Sequence, residues 1–538
     1  MLVSKGATAD GATFLTYSAD SHELYGELYY TPARRHGPGA LRDIFDWDTG
    51  KFLGRIPEAP ITYSVVGNMN EHQLSIGEST FGGREELEPP AGIIDYGSLI
   101  YIALERAKTA REAIQVMTRL VAEHGYASSG ESFSIADPKE VWLLEMIGKG
   151  KGQKGALWVA RRLPEGYLSA HANQSRIRQF PLNEPDTTLY SPDVISFARA
   201  KGWYSGADKD FSFADTYNPL DFEGQRISEA RVWSIFRRAA PSLKLGVEYA
   251  EGLATDKRLP LWVKPDRKLS LQDAMGLMRD HFEGTPLDMS KDVGAGPYGA
   301  PYRWRPMIWE VDGKQYVHER AISTQQTGFS FVAQLREWMP SPIGGVLWFG
   351  VDDTALTVYT PMYAGIREVP RNLAQGVASR GKFSWDSSFW VFNWVSNQAY
   401  ARWSDMVVDV QKEQGALEGQ FFADQADIEK KALEQYKRSP EEARQYLTEY
   451  SGQQGEKVHT RWRQLGENLL VKYLDGNVRD EQGKVNHPPY SEAWYRHIVR
   501  DTGKRLEVPP KPEKKPAAAQ EPKPEPKPEP KPTVAPPP

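Results

Sequence analysis

Apolar and polar positions change their period along the chain. From the start to about Arg380, short runs rich in β-branched and aromatic residues dominate. Ala12–Ser18, Glu140–Ile147, Ala156–Ala160, Gly166–Ala170, Val346–Val351 and Leu356–Tyr359 read as strands, several of them bounded by glycine or Asp-Pro turns. Ser98–Lys108 and Ala110–His124 read as helices. The second sets Ala113, Val116, Met117, Leu120 and Val121 on one face, and Thr109-Ala-Arg-Glu112 supplies a capping box. Ser270-Leu-Gln-Asp273 opens another helix, running to His281. Strands and helices in blocks, rather than in strict alternation, predict an α+β architecture.

From about Ser387 to Arg505 the pattern turns helical. Glu418–Tyr436 is rich in Glu, Lys, Ala and Gln, and Ser439-Pro-Glu-Glu442 has the cap, proline and acid of a helix start. Phe389–Val395 is too apolar for a surface helix and is expected to pack on the body. The last 30 residues hold 13 of the 39 prolines and a Pro-Glu-Pro-Lys repeat, which predicts a disordered, semi-stiff tail. The expected division is 1–386, 387–508 and 509–538.

Composition narrows the function. The 538 residues carry 66 Lys plus Arg against 71 Asp plus Glu, a formal charge of −5. That gives no general electrostatic reason to bind nucleic acid. No apolar run is long enough to cross a bilayer. There is no cysteine, so disulfides, thiolate metal sites and a thiol nucleophile are excluded within the chain itself. The ten histidines show no metal-ligand spacing, and phosphate-loop, His-Glu-x-x-His and Gly-x-Ser-x-Gly patterns are missing. Neither metal nor cofactor is called for. His22 stands beside Asp20, which on spacing alone reads as structural. Asp352-Asp353 reads as a solvated turn rather than a cation site.

Three strand ends are dressed with amide, carboxylate or hydroxyl groups: Gly67–Gly83, Ser128–Ser134 and Ser169–Ser175. Turn chemistry uses the same residues, so singly each reads as a turn. Together, with Leu2-Val-Ser-Lys-Gly6, Tyr17-Ser-Ala-Asp-Ser-His22, Thr324–Phe331 and Gly344–Asp353, they resemble the dipeptidase A family of N-terminal-nucleophile cysteine peptidases, which is related to the secernins. The matches run in order over most of residues 2 to 400.

The resemblance implies a four-layer α-β-β-α sandwich and hydrolysis of dipeptides or short peptides without a metal. An N-terminal cysteine attacks the peptide carbonyl, with its own α-amine as base. It implies Asp20 as anchor of that amine, Asn173 as oxyanion donor and Arg231 beside the nucleophile. It implies Glu78 in the substrate pocket, with His22 nearby as a substrate contact. The family pattern begins Cys-Thr a few residues before the segment matching Leu2–Gly6. The nucleophile is therefore expected upstream of Met1, the chain as written is expected to be inactive, and the natural protein is expected to be exported. Two other readings stand beside this one: a peptide-binding or scaffold protein on the same fold, and a hydrolase of non-peptide amides. Self-association and the tail's partner stay open.

Overall fold

The computed structural model describes residues 1–21, 24–88, 90–512, 525 and 527–529. In chain order the strands of the two main sheets begin with β1 (Leu2–Val3), β2 (Thr13–Asp20), β3 (Tyr30–Thr31), β4 (Val65–Val66), β5 (Met69–Asn70) and β6 (Ser75–Gly82). They continue with β7 (Gly130–Ala136), β8 (Val141–Gly148), β9 (Ala156–Arg162), β10 (Leu168–Ser169) and β11 (Thr188–Tyr190). The last are β12 (Trp262–Val263), β13 (Thr327–Leu335), β14 (Val346–Val351) and β15 (Thr360–Tyr363). One sheet has the order β12-β10-β1-β2-β13-β14-β15 and the other β11-β9-β8-β7-β6-β5-β4-β3. Neighbours in both are antiparallel.

Strand β8 shows how the layers form. Its side chains alternate by two, and both faces are buried. Val141, Leu143 and Ile147 share a core with Phe14 and Leu15 of β2. Trp142, Leu144 and Met146 share another with Leu99 and Ile102 of α1 (Tyr96–Arg106) and Met117 of α2 (Ala110–His124). One face thus meets the opposite sheet and the other lies under helices. Gly77 of β6 packs directly against the opposite sheet: a Cβ there would stand 3.1 Å from Tyr17 Cβ and 3.3 Å from Leu15 Cδ2.

Among the shorter helices that follow are α3 (Ala230–Ala239) and α4 (Leu271–Met278). The outer face of the first sheet is covered by α5 (Ser388–Ala401), α6 (Trp403–Arg438) and α7 (Pro440–Lys472). Trp348 of β14 packs on Phe422 of α6 at 5.2 Å, and Phe392 of α5 stacks on Trp462 of α7 at 4.6 Å. A buried Arg336–Glu429 pair, bonded at 2.8 and 2.6 Å, ties the end of β13 to α6. The apolar Phe389–Val395 segment packs on the body as expected. Residues 1–488 form one compact unit. Residues 489–538 form a second, containing α8 (Glu492–Thr502), whose Ser491 side chain caps its start. Most of the Pro-Glu-Pro-Lys stretch lies outside the described residues.

Several expectations need correction. Leu356–Tyr359 is not a strand but a buried turn. Side chains satisfy its backbone: Gln414 donates to the carbonyls of Ala355 and Thr357 at 3.1 and 2.6 Å, and the Tyr359 N–H reaches Glu418 at 2.9 Å. Asp352 and Asp353 are not solvated; both are buried. Asp352 accepts from Asn393 and Ser396 of α5, and Asp353 from Ser323 and Tyr400. The helix opened by Ser270 has its full capping box but stops at Met278, short of His281. Among the described residues, no helix is long and apolar enough to cross a membrane.

Candidate active site

The facing ends of the two sheets open into a pocket of about 370 Å³ beside Met1. Asp20, Glu78, Asn173 and Arg231, drawn from four distant parts of the chain, all line it. His22 lies outside the described residues. Met1 extends β1 along β2: its amine donates to the Thr16 carbonyl at 3.2 Å, and the Thr16 N–H donates back at 2.9 Å. Burial at this strand end pushes the α-amine down to about 5, so it is neutral at pH 7.

Asp20 closes β2. A register shift in β13 between Thr327 and Ser330 lies opposite it, and such irregularities re-aim side chains at strand ends. Thr327 Oγ1 donates to the Asp20 carboxylate at 2.8 Å, Ser18 Oγ donates to it as well, and Gln326 Nε2 holds its backbone carbonyl at 3.1 Å. Burial raises the carboxyl's pKa, and Arg320 opposes the rise.

Glu78 reaches the pocket from β6, and Tyr17 Oη donates to it at 2.6 Å. Close approach at Gly77 permits that bond. Behind it lies buried Glu131, which accepts from Thr80 Oγ1 at 2.6 Å. Burial and the Glu78 charge raise Glu131 well above the usual carboxylate range. Its Oε2 has no donor partner among the described residues, as suits an oxygen that carries a proton. Burial raises Glu78 as well, against the hydrogen bonds from Tyr17 and Glu131, so Glu131 is the member of the pair that holds its proton more firmly.

Asn173 has φ 55°, a left-handed conformation that asparagine tolerates better than most residues. Its Nδ2 donates one hydrogen to the Thr80 carbonyl at 2.7 Å, and its Oδ1 accepts from Arg231 Nη2 at 2.8 Å. A π-helical turn, Gly224–Glu229, runs into α3 and delivers Arg231, whose Nε donates to the Ile227 carbonyl at 3.2 Å. The loop carrying Asn173 is pinned by buried Glu145, which accepts from the N–H groups of Arg176 and Ile177 at 2.6 and 3.1 Å. Arg176 in turn contacts Glu229 at 2.9 Å, both almost fully buried.

Sequence reading missed several lining groups. His171 lies between Ser79 Oγ on Nδ1 and Ser134 Oγ on Nε2, each at 2.6 Å. Burial and the nearby positive groups hold the imidazole well below its usual pKa, so it is neutral. Tyr17, Ser79, Tyr96, Asp48 and Arg320 also line the pocket. His171 was visible within Ser169–Ser175, but nothing in the spacing marks Ser79 and Ser134 as its partners. Among the described residues, no three His, Asp or Glu side chains cluster as metal ligands.

Residues 41–415 match the profile described as "Peptidase family C69". The chain belongs to that peptidase family. Glu78, Asn173 and Arg231 fall within the match, and Asp20 precedes it. The chain is similar to a "Probable dipeptidase" of Salmonella dublin, 26% identical over 68% of this chain and 81% of the relative. It is similar to "Probable dipeptidase B" of Streptococcus pyogenes serotype M1, 23% identical over 89% and 93% of the two chains. A "Dipeptidase" of Bifidobacterium longum is 24% identical over 69% of this chain and 72% of its own length. The dipeptidase type of this C69 peptidase rests on these relatives and the family.

Proposed function

We propose that the protein is a dipeptidase whose nucleophile is an N-terminal cysteine preceding Met1, on the sandwich of an N-terminal-nucleophile hydrolase. The observation that carries this reading is the convergence of Asp20, Glu78, Asn173 and Arg231 around the end of β1. Continued in the register that pairs Leu2 with Leu15, the residues before Met1 run along Tyr17 and Ser18 toward Asp20. A cysteine there has its α-ammonium held by Asp20 through a charge-assisted bond.

In this mechanism the neutral α-amine takes the thiol proton and the sulfur attacks the peptide carbonyl. The second hydrogen of Asn173 Nδ2 donates to the developing oxyanion, while Arg231 fixes the amide by holding its oxygen. The ammonium returns its proton to the departing amine, leaving an acyl thioester that water hydrolyses. Glu78 receives the substrate's ammonium. Removal of an export leader is the processing step we propose for exposing the cysteine.

Ser79 is not assigned as nucleophile, although it bonds His171. Its Oγ also accepts the Asn173 N–H at 3.3 Å, and the far imidazole nitrogen meets a hydroxyl rather than a carboxylate. Among the described residues, no anion supports an imidazolium there. The absence of cysteine from the 538 residues favours a second reading, in which this chain binds peptides without cutting them. Mass spectrometry of the natural N-terminus, with a dipeptide assay of the chain extended by Cys-Thr and a short connector, separates the two. A cysteine terminus and an active extension support the peptidase. A Met1 terminus and an inert extension support the binder.

A further inference from the structure

The pocket's lining carries both signs of charge. Glu78 and Asp48 are two of its acids, the latter accepting from Tyr96 Oη at 2.9 Å. Arg231 and Arg320 line it too, and Arg320 shares a neighbouring cavity with Arg305. Burial lowers the pKa of all three guanidinium groups, repulsion from Arg320 adds to this at Arg231 and Arg305, and Asp20 is a pocket acid that acts on all three in the opposite sense. Arg231 is bonded to Asn173 and Ile227, and Arg305 donates from Nε to Gln326 Oε1 at 3.1 Å. Arg320 is different. Its Nε is buried without a hydrogen-bond partner, and no hydrogen bond or ion pair engages its guanidinium among the described residues. A buried, unpaired guanidinium nitrogen is costly unless a ligand completes it.

We propose that Arg320 is the receptor for the substrate's C-terminal carboxylate. This rests on the dipeptidase reading and adds its selectivity. An ammonium site at Glu78 and a carboxylate site at Arg320, both lining one small pocket, fit a short zwitterion. A longer peptide carries its carboxylate past Arg320, and an amidated dipeptide offers no charge to pair. A planar fork suits a carboxylate bidentately, so lysine is an imperfect substitute. Arg231 remains with Asn173 and the oxyanion.

Calorimetric titration of the chain as it stands, which lacks a cysteine to cleave the ligand, reads the proposal directly. The ligands are Ala-Ala, Ala-Ala-NH2 and Ala-Ala-Ala. The expected result is binding of Ala-Ala at least ~10-fold tighter than either other ligand, the size of one charge-assisted pair. In Arg320→Met the difference between Ala-Ala and its amide falls within about twofold, while Arg320→Lys keeps part of it. Thermal melts confirm that each variant is folded. Equal binding of Ala-Ala and its amide by the parent chain overturns the proposal. So does a difference that survives in folded Arg320→Met, or no binding of Ala-Ala at all. The dipeptidase reading is judged separately. If a cysteine-extended chain cleaves Ala-Ala and Ala-Ala-NH2 alike, the Arg320 assignment falls and the peptidase stands. If it cleaves neither, the peptidase reading itself falls.

Discussion

Asn173 Oδ1 accepts a hydrogen bond from Arg231 Nη2 at 2.8 Å, joining a strand-end loop to a helix across 58 residues of sequence. The same amide is held by the Thr80 carbonyl, so its plane is fixed from both ends. Both groups are thereby set before any substrate arrives.

Asn173→Ala removes both bonds and replaces asparagine, which tolerates φ 55°, by a residue that tolerates it less well. The expected cost is about 2–3 kcal/mol, from roughly 1 kcal/mol for each of the two lost bonds and up to about 1 kcal/mol for alanine's poorer fit to the left-handed backbone. Urea unfolding measures it. Asn173→Asp keeps the Arg231 contact but loses the amide donor. It is expected to fold, while dipeptide hydrolysis by the cysteine-extended chain falls about 10²–10³-fold, the usual loss for one oxyanion donor.

Glu131→Gln tests the shared proton. The raised pKa means the folded protein holds this proton to higher pH than the unfolded chain. Wild-type stability from this group is therefore full below the unfolded carboxyl pKa, about 4.3, and is lost as pH rises through the folded value. Glutamine is neutral throughout and can still accept from Thr80. Its melting temperature is expected to exceed wild type at pH 7–8 and to match or fall below it near pH 4. A variant less stable at pH 8 than wild type contradicts the protonated pair.

Asp352 follows the same sign on the opposite face of the first sheet. Burial pushes its carboxyl up to about 7, against the bonds from Asn393 and Ser396. Stability contributed here is lost between about pH 4 and 7 as pH rises. Asp352→Asn is expected to flatten that part of the melting-temperature profile. An unchanged slope rejects the assignment.

Gly77→Ala places a methyl 3.1 Å from Tyr17 Cβ, between two packed sheets. Overpacking of this kind costs about 1–3 kcal/mol. Because Tyr17 holds Glu78, the variant is also expected to raise KM more than it lowers kcat. A thermal melt and a kinetic comparison in the cysteine-extended chain check both.

Local signals were legible where local chemistry decides. Val346–Val351 and Ala110–His124 match the structure at both ends, because a glycine or a threonine cap marks their borders. Leu356–Tyr359 misled because a buried turn is as apolar as a buried strand. Its hydrogen bonds come from Gln414 and Glu418, 57 and 59 residues later on a helix. Asp352-Asp353 misled for a related reason: α5 supplies the donors that let a carboxylate be buried, and no local pattern announces them. At the site, family resemblance supplied Asp20, Glu78, Asn173 and Arg231, which the fold brings together. It did not supply Arg320 or the Ser79–His171–Ser134 bridge. Those depend on which strands lie side by side, and on a partner being absent.

The central claim is that this pocket becomes a peptidase when a cysteine precedes β1. Its most direct test is hydrolysis of Ala-Ala by the chain extended with Cys-Thr and a connector, beside an alanine-extended control. The account predicts activity only in the cysteine form, unaffected by chelators and abolished by thiol alkylation. A folded but inert cysteine form, or equal activity in the alanine control, would contradict it.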